Sequence, residues 1–154
     1  RLPPLTFGGG QERGMRPGTE AVPNIAAFAK ACEIRMAHFD EDYAHVQELA
    51  DYLKQQVAAE LPDAVINGEG DIPHVVNLSM PGCKSEHVLE GDEVYISSGS
   101  ACSKGKQSGV LKALGLPKAR TDSALRVSFA PFNTKEDVDA FINAVKKGAK
   151  MFRR

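Results

Sequence analysis

Apolar residues recur at alternating steps of three and four between Val22 and Val57. This spacing predicts one long helix, or two nearly collinear helices with Asp40 as a possible N-cap at the break. Leu61-Pro62 should end the helix, because proline lacks a backbone donor and disfavours helical geometry in the residue before it. Cys32 lies on the apolar stripe, so we expect it in the core.

Further along, the period of the pattern changes to two, which is typical of strands. The predicted strands cover residues 65–66, 74–80, 94–96 and 123–129. Short helices are expected over 85–90 and 110–116, and a last helix follows Thr134, with its stripe at Val138, Phe141, Ile142, Val145 and Ala149. This order predicts an α+β fold, in which a small antiparallel or mixed sheet has helices packed on one face.

Composition narrows the class of protein. The 154 residues suffice for a domain with a real core, and 42% hydrophobic with 25% charged residues is ordinary for a globular protein. A formal net charge of −1 gives no general attraction to nucleic acid or anionic membranes. No apolar run approaches the roughly 18 residues that span a bilayer. Three cysteines are a sparse, odd set, so we expect a reducing, cytoplasmic setting.

Residues 97–109, Ser-Ser-Gly-Ser-Ala-Cys-Ser-Lys-Gly-Lys-Gln-Ser-Gly, lack bulky apolar side chains and contain three glycines. Cys102 lies in their middle, with Lys104 and Lys106 close behind. Nearby cations favour the thiolate, which is the nucleophilic form of cysteine. The residues alone leave two interpretations open, a surface loop that happens to contain a cysteine and a reactive thiol on a mobile arm.

Two further stretches carry candidate chemistry. Residues 1–19 combine five glycines with Arg13 and Arg16, which suits either an anion site or a solvated loop. Arg126 stands in the middle of a predicted strand. It either extends its charge to solvent from a sheet edge or binds a carboxylate through two hydrogen bonds.

Four motifs occur in order along nearly the whole chain. They are Gly-Gly-Gly-Gln-Glu-Arg-Gly-Met-Arg-Pro-Gly-Thr at 8–19, His-Val-Val-Asn-Leu-Ser at 74–79, Ser-Ser-Gly-Ser-Ala-Cys-Ser at 97–103 and Leu-Arg-Val-Ser-Phe at 125–129. Together they resemble the C-terminal part of a NifS-like cysteine desulfurase, a pyridoxal-phosphate enzyme of the class V aminotransferase group. The resemblance implies that residues 1–19 are a remnant of the large cofactor-binding domain and residues 20–154 the small C-terminal domain.

The resemblance also implies roles for single residues. Cys102 matches the cysteine that takes sulfur from L-cysteine as a persulfide and leaves L-alanine, and Arg126 matches the arginine that binds the substrate carboxylate. Thr19 matches a residue that reaches the cofactor phosphate of the other subunit in a homodimer, with Arg13 and Arg16 in a supporting role. The implied protein partner is a sulfur acceptor or an iron–sulfur scaffold.

The sequence also departs from the family pattern. The Schiff-base lysine with its preceding histidine is missing from these residues, so we expect the 154 residues alone to be inactive. The segment 85–96 is shorter than usual, and Ala130-Pro131 replaces the usual glycine and polar residue. The alternatives are a selenocysteine lyase or another class V aminotransferase, and a non-catalytic sulfur-relay or docking module.

Overall fold

The computed structural model describes residues 3–4, 6–68, 72–88, 94–97 and 108–152. A turn of 3-10 helix, Glu12–Gly14, comes first. The following elements are α1 (Val22–Ala37), α2 (Phe39–Glu60), β1 (Val65–Asn67), β2 (Val75–Ser79), α3 (Ser85–Val88), α4 (Gly109–Ala113), α5 (Lys118–Asp122), β3 (Ala124–Ser128) and α6 (Lys135–Phe152). The chain divides into two compact units, Arg1–Phe39 and Asp40–Arg154. The domain boundary after residue 19 stays a prediction.

The predicted long helix is two helices. The backbone leaves helical geometry at His38, with φ −120° and ψ 10°, and α2 begins at the next residue. Asp40 therefore lies in the first turn of α2 and is not its N-cap. The helix ends before Leu61-Pro62, as the proline predicts.

Burial along these two helices differs from the expectation. None of the residues of α1 is buried, and the thiol-bearing Cys32 is exposed, so its predicted core position is wrong. The buried residues begin only in the second turn of α2; they are Val46, Leu49, Ala50, Leu53 and Val57. The reason is that helical spacing of apolar residues predicts a helix, whereas burial also requires a surface that covers it.

The sheet contains three antiparallel strands in the order β1-β2-β3. Val76 pairs with Val127 and Leu78 with Leu125, and these four buried side chains form the inner face of the sheet. They join one hydrophobic cluster with residues of α2 and α6. The α+β class, with a small sheet packed against helices, is confirmed.

The last helix is held against α2 and α3. Lys135 at the start of α6 pairs with Glu48, and Lys146 near its end pairs with Glu60, so α6 runs beside α2 in the same direction. At Gly148 an added Cβ would lie 1.7 Å from the carbonyl oxygen of Val88. Because no side chain fits in that space, the glycine lets the backbone of α3 approach α6 directly.

Some smaller elements differ from the prediction. The residues Val94–Ile96 form no strand, and only Ser97 makes a bridge, to Arg126. Helix α5 was not predicted, because its five residues carry no apolar stripe. Cys83 is buried at 5% exposure and belongs to the core cluster. Among the described residues, no helix is both long and apolar enough to cross a membrane.

Candidate functional site

The outer face of the sheet carries a row of four polar residues. Asn67 of β1 is paired with Asn77 of β2, and Asn77 with Arg126 of β3. A single-residue bridge then pairs Arg126 with Ser97. Residues directly opposite each other in antiparallel strands project to the same face. Asn67, Asn77, Arg126 and Ser97 therefore lie side by side, and we call them the polar row.

Arg126 is the charged residue of this row. Its neighbours along β3, Leu125 and Val127, are buried, whereas its own side chain is exposed on the other face. Within the part of the chain that the structure describes, its guanidinium makes no hydrogen bond or ion pair. A guanidinium presents its donors as a planar fork that matches the two oxygens of a carboxylate. The carboxylate-binding role of Arg126 stays a prediction, and its exposure leaves the fork accessible.

Arg120 of α5 lies at the other end of the row, next to Asn67. Its Nε donates to Oδ1 of Asn67 at 2.9 Å, its Nη2 donates to the same oxygen, and Nη2 also donates to the carbonyl of Ile66 at 3.3 Å. Nδ2 of Asn67 donates to Oδ1 of Asn77 at 2.6 Å and to Oγ of Ser79 at 2.7 Å. Oγ of Ser79 in turn donates to the carbonyl of Arg120 at 2.8 Å. This closed network fixes the two asparagines.

Sequence reasoning identified Arg126 but missed its neighbours in the row. An asparagine at position 77, inside an otherwise apolar alternating strand, was the available signal. Asn67 and Ser97 become visible only through the strand register, and Arg120 only through α5, which was not predicted.

Cys102 lies outside the described residues, so its predicted role is not tested by the geometry. Ser97 and Ser108, the described residues that precede and follow this stretch of the chain, have defined contacts. The carbonyl of Ser97 accepts a hydrogen bond of 2.8 Å from the N–H of Arg126. Oγ of Ser108 accepts one of 3.4 Å from the N–H of Leu111 and caps α4. Ser97 is thus hydrogen-bonded directly to Arg126, the candidate carboxylate-binding residue.

The three predicted phosphate-binding residues lie together in residues 8–19, within the other compact unit. Glu12 and Arg13 both adopt left-handed backbone angles, with φ of 49° and 56°, a conformation that is strained for residues with side chains. Nη1 of Arg16 donates to the carbonyls of Gly18 at 3.3 Å and Thr19 at 3.2 Å. Arg16 therefore holds the turn that presents Thr19.

The donor chemistry of this segment fits a phosphate group. Arg13 and Thr19 are exposed, and Arg16 keeps donors beyond the Nη1 that holds the turn. Guanidinium groups and a hydroxyl are donors that bind phosphate oxygens. These residues therefore suit the phosphate of pyridoxal phosphate.

A cavity of about 320 Å³ is lined by none of the predicted site residues. Its walls come from residues 94–96, from the end of β3 and from the first turns of α6. Asn133 and Asp137 line it, and both are already engaged in the cap of α6. We assign it no role in the site.

Similarity to known proteins agrees with the fold and the motifs. The Aminotransferase class-V family model matches residues 2–141, and the chain belongs to this family. The mitochondrial cysteine desulfurase of Saccharomyces cerevisiae is 40% identical over 99% of this chain and 32% of its own length. The cysteine desulfurase of a Nostoc species is 35% identical over 94% of this chain and 38% of its own length.

Solved structures agree as well. The NifS-like protein of Rickettsia africae superposes with a TM-score of 0.80 at 28% identity, over 97% of this chain and 41% of that one. A second NifS-like protein gives a TM-score of 0.78 at 30% identity, over 97% of this chain and 39% of that one. The chain spans about a third of the length of the curated relatives it matches.

Proposed function

We propose that this chain is the C-terminal part of a pyridoxal-phosphate-dependent cysteine desulfurase. The observation that carries the proposal is the bridge between Arg126 and Ser97, because it joins a carboxylate-binding candidate to the residue from which the chain continues to Cys102. Cys102 follows Ser97 by five residues. An extended chain covers at most about 3.6 Å per residue, so the Cα atom of Cys102 can lie no farther than about 18 Å from that of Ser97.

The chain's own residues would act in sequence. Arg126 binds the carboxylate of L-cysteine, and the Cys102 thiolate attacks the substrate sulfur. A new S–S bond forms as the substrate Cβ–S bond breaks. The electron pair of the broken bond stays with carbon, which takes up a proton, so that L-alanine leaves and Cys102 carries a persulfide.

The cofactor would be held in part by this chain. Thr19, with Arg13 and Arg16 in a supporting role, is proposed to reach the cofactor phosphate of the other subunit in a homodimer. When bound, the cofactor supplies the electron sink for bond cleavage at the substrate. Because the lysine motif of the family is missing from these 154 residues, we expect the chain alone to release no alanine. A homodimer, a sulfur-acceptor protein and a cytoplasmic location belong to the same proposal and rest on the family resemblance.

The experiment replaces Cys102 with alanine in the full-length protein that carries this chain. We expect Cys102→Ala to abolish both alanine release from L-cysteine and the gain of about 32 Da that marks one added sulfur. Cofactor absorbance should stay unchanged. The readouts are an alanine assay and intact mass.

Cys32→Ala is the matched control, since Cys32 is exposed on α1 and belongs to no part of the proposed site. It should leave alanine release and the mass gain at wild-type levels. Alanine release by Cys102→Ala at the wild-type rate would contradict the assignment of the nucleophile.

A further inference from the structure

The geometry points to Asn77 as a second binding residue for the substrate carboxylate, with Arg120 and Asn67 as the residues that orient it. The inference rests on the proposed function for the identity of the substrate. Its basis is the direction of the hydrogen bonds along the polar row.

The series of hydrogen bonds begins at Arg120, whose guanidinium can only donate. It donates to Asn67, so the side-chain carbonyl of Asn67 must face it. The amide nitrogen of Asn67 must then face the opposite way, toward Asn77. Because that nitrogen can only donate, Asn77 has to present its own carbonyl oxygen to it. One arginine therefore determines the orientation of two amide groups in succession.

This orientation decides what Asn77 offers to the rest of the row. Its Oδ1 is turned toward β1, so its Nδ2 is turned away from β1. Among the described residues, that nitrogen donates to no partner. Arg126 is its cross-strand neighbour on β3, and opposite side chains in antiparallel strands have Cβ atoms about 5 Å apart.

A carboxylate bound by the guanidinium of Arg126 thus lies within reach of the two N–H donors of Asn77. An amide donor and a guanidinium on neighbouring strands can share one carboxylate, which has about four lone-pair sites. Asn77 is half-buried, and β2 and its two neighbours hold it, so its donor is positioned before the ligand arrives.

The test uses the full-length protein with L-alanine as the carboxylate ligand and L-alaninamide as its uncharged analogue. Asn77→Ala should weaken L-alanine binding in calorimetric titration about tenfold to a hundredfold, the range for a hydrogen bond to a charged group. L-alaninamide binding should change less, about twofold to tenfold, because only an uncharged hydrogen bond is lost. The Michaelis constant for L-cysteine should rise by the same factor as the L-alanine dissociation constant.

Asn77→Asp should weaken L-alanine binding more than Asn77→Ala, because it keeps the shape but places a carboxylate against a carboxylate. Asn143→Ala removes an exposed asparagine of α6, and we expect wild-type binding from it. Melting temperatures of all variants separate binding effects from unfolding.

The outcomes separate the two levels of the proposal. Equal losses for L-alanine and L-alaninamide, or no loss in a folded Asn77→Ala protein, would overturn the role of Asn77 while cysteine turnover stands. Absence of sulfur release from L-cysteine, together with Asn77-dependent binding of L-alanine, would overturn the desulfurase and keep the carboxylate site. If the wild-type protein binds no L-alanine, the carboxylate site itself is overturned.

Discussion

Helices α1 and α6 have similar lengths, 16 and 18 residues, yet they relate to solvent in opposite ways. α6 buries six residues on one face and exposes its charges on the other. α1 buries none, although it contains more apolar residues; Val22, Ile25, Phe28, Ile34 and Met36 are all more than half exposed.

The difference shows that apolar content and apolar arrangement carry separate information. In α6 the apolar residues form one stripe bounded by charged residues, which specifies a single buried face. In α1 they surround most of the helix, so the sequence specifies a helix without specifying which side is covered. Burial was predicted correctly where the two faces contrast and wrongly where they do not.

Of the substitutions that test this difference, Phe141→Ala should lower the free energy of unfolding the most. Phe141 is 3% exposed in the core cluster, and truncation of a buried phenylalanine costs about 3–5 kcal/mol of unfolding free energy. Chemical denaturation of the 154-residue chain measures the loss. A cost below about 1 kcal/mol would mean that the contact between α6 and the sheet is loose in solution.

Asp137→Ala should cost less, about 1 kcal/mol, since it removes one capping contact of α6. The carboxylate accepts hydrogen bonds from the Asn133 amide at 3.1 Å and the Thr134 N–H at 3.0 Å. These bonds, that of Asn133 first, hold the pKa of Asp137 below its ordinary value.

The sign of the pH dependence follows from that lowered pKa. A carboxyl group with a lower pKa in the folded state stabilises fully above its unfolded pKa, about 4, and loses this as pH falls through the folded value. Denaturation between pH 2 and 7 should therefore show the wild-type advantage over Asp137→Ala shrinking in acid. Asp137→Asn keeps an oxygen acceptor that does not titrate. If the stability difference between the wild type and Asp137→Asn also shrinks in acid, the effect comes from the charge of Asp137.

Phe28→Ala should have the smallest effect. Phe28 is 73% exposed on α1, and surface truncations usually change unfolding free energy by less than about 0.5 kcal/mol. Denaturation beside Phe141→Ala gives a matched pair of phenylalanine truncations. A cost near that of Phe141→Ala, growing with protein concentration, would show that association covers α1 in solution.

Much of the fold could be predicted from local pattern. The strands β2 and β3 and the helix α6 follow from alternation, from the stripe and from the Thr134 cap. Val94–Ile96 did not form the expected strand, because a short apolar run does not by itself supply a pairing partner. Helix α5 escaped prediction, since its backbone carbonyls at Arg120 and Ala119 accept hydrogen bonds from Ser79 and Ser123, and no local pattern indicates these contacts.

The candidate site was predictable only in part. Arg126 was identifiable, because a charge in the middle of a short strand is unusual. Its neighbours in the polar row depend on register, which pairs residues about 10 and 50 positions apart in sequence. Distances of that kind are fixed by the packed sheet, so residue spacing along the chain could not reveal them.

The identity of the side chain at position 120 also determines how this site would respond to substitution. A glutamine at position 120 can donate or accept, so Asn67 and Asn77 would each have two orientations of nearly equal energy. A glutamate would reverse both amides and turn the outward group of Asn77 from donor to acceptor, which would suit a cation instead of an anion. Arg120, which reaches Asn77 only through Asn67, thus determines whether Asn77 presents a donor or an acceptor beside Arg126.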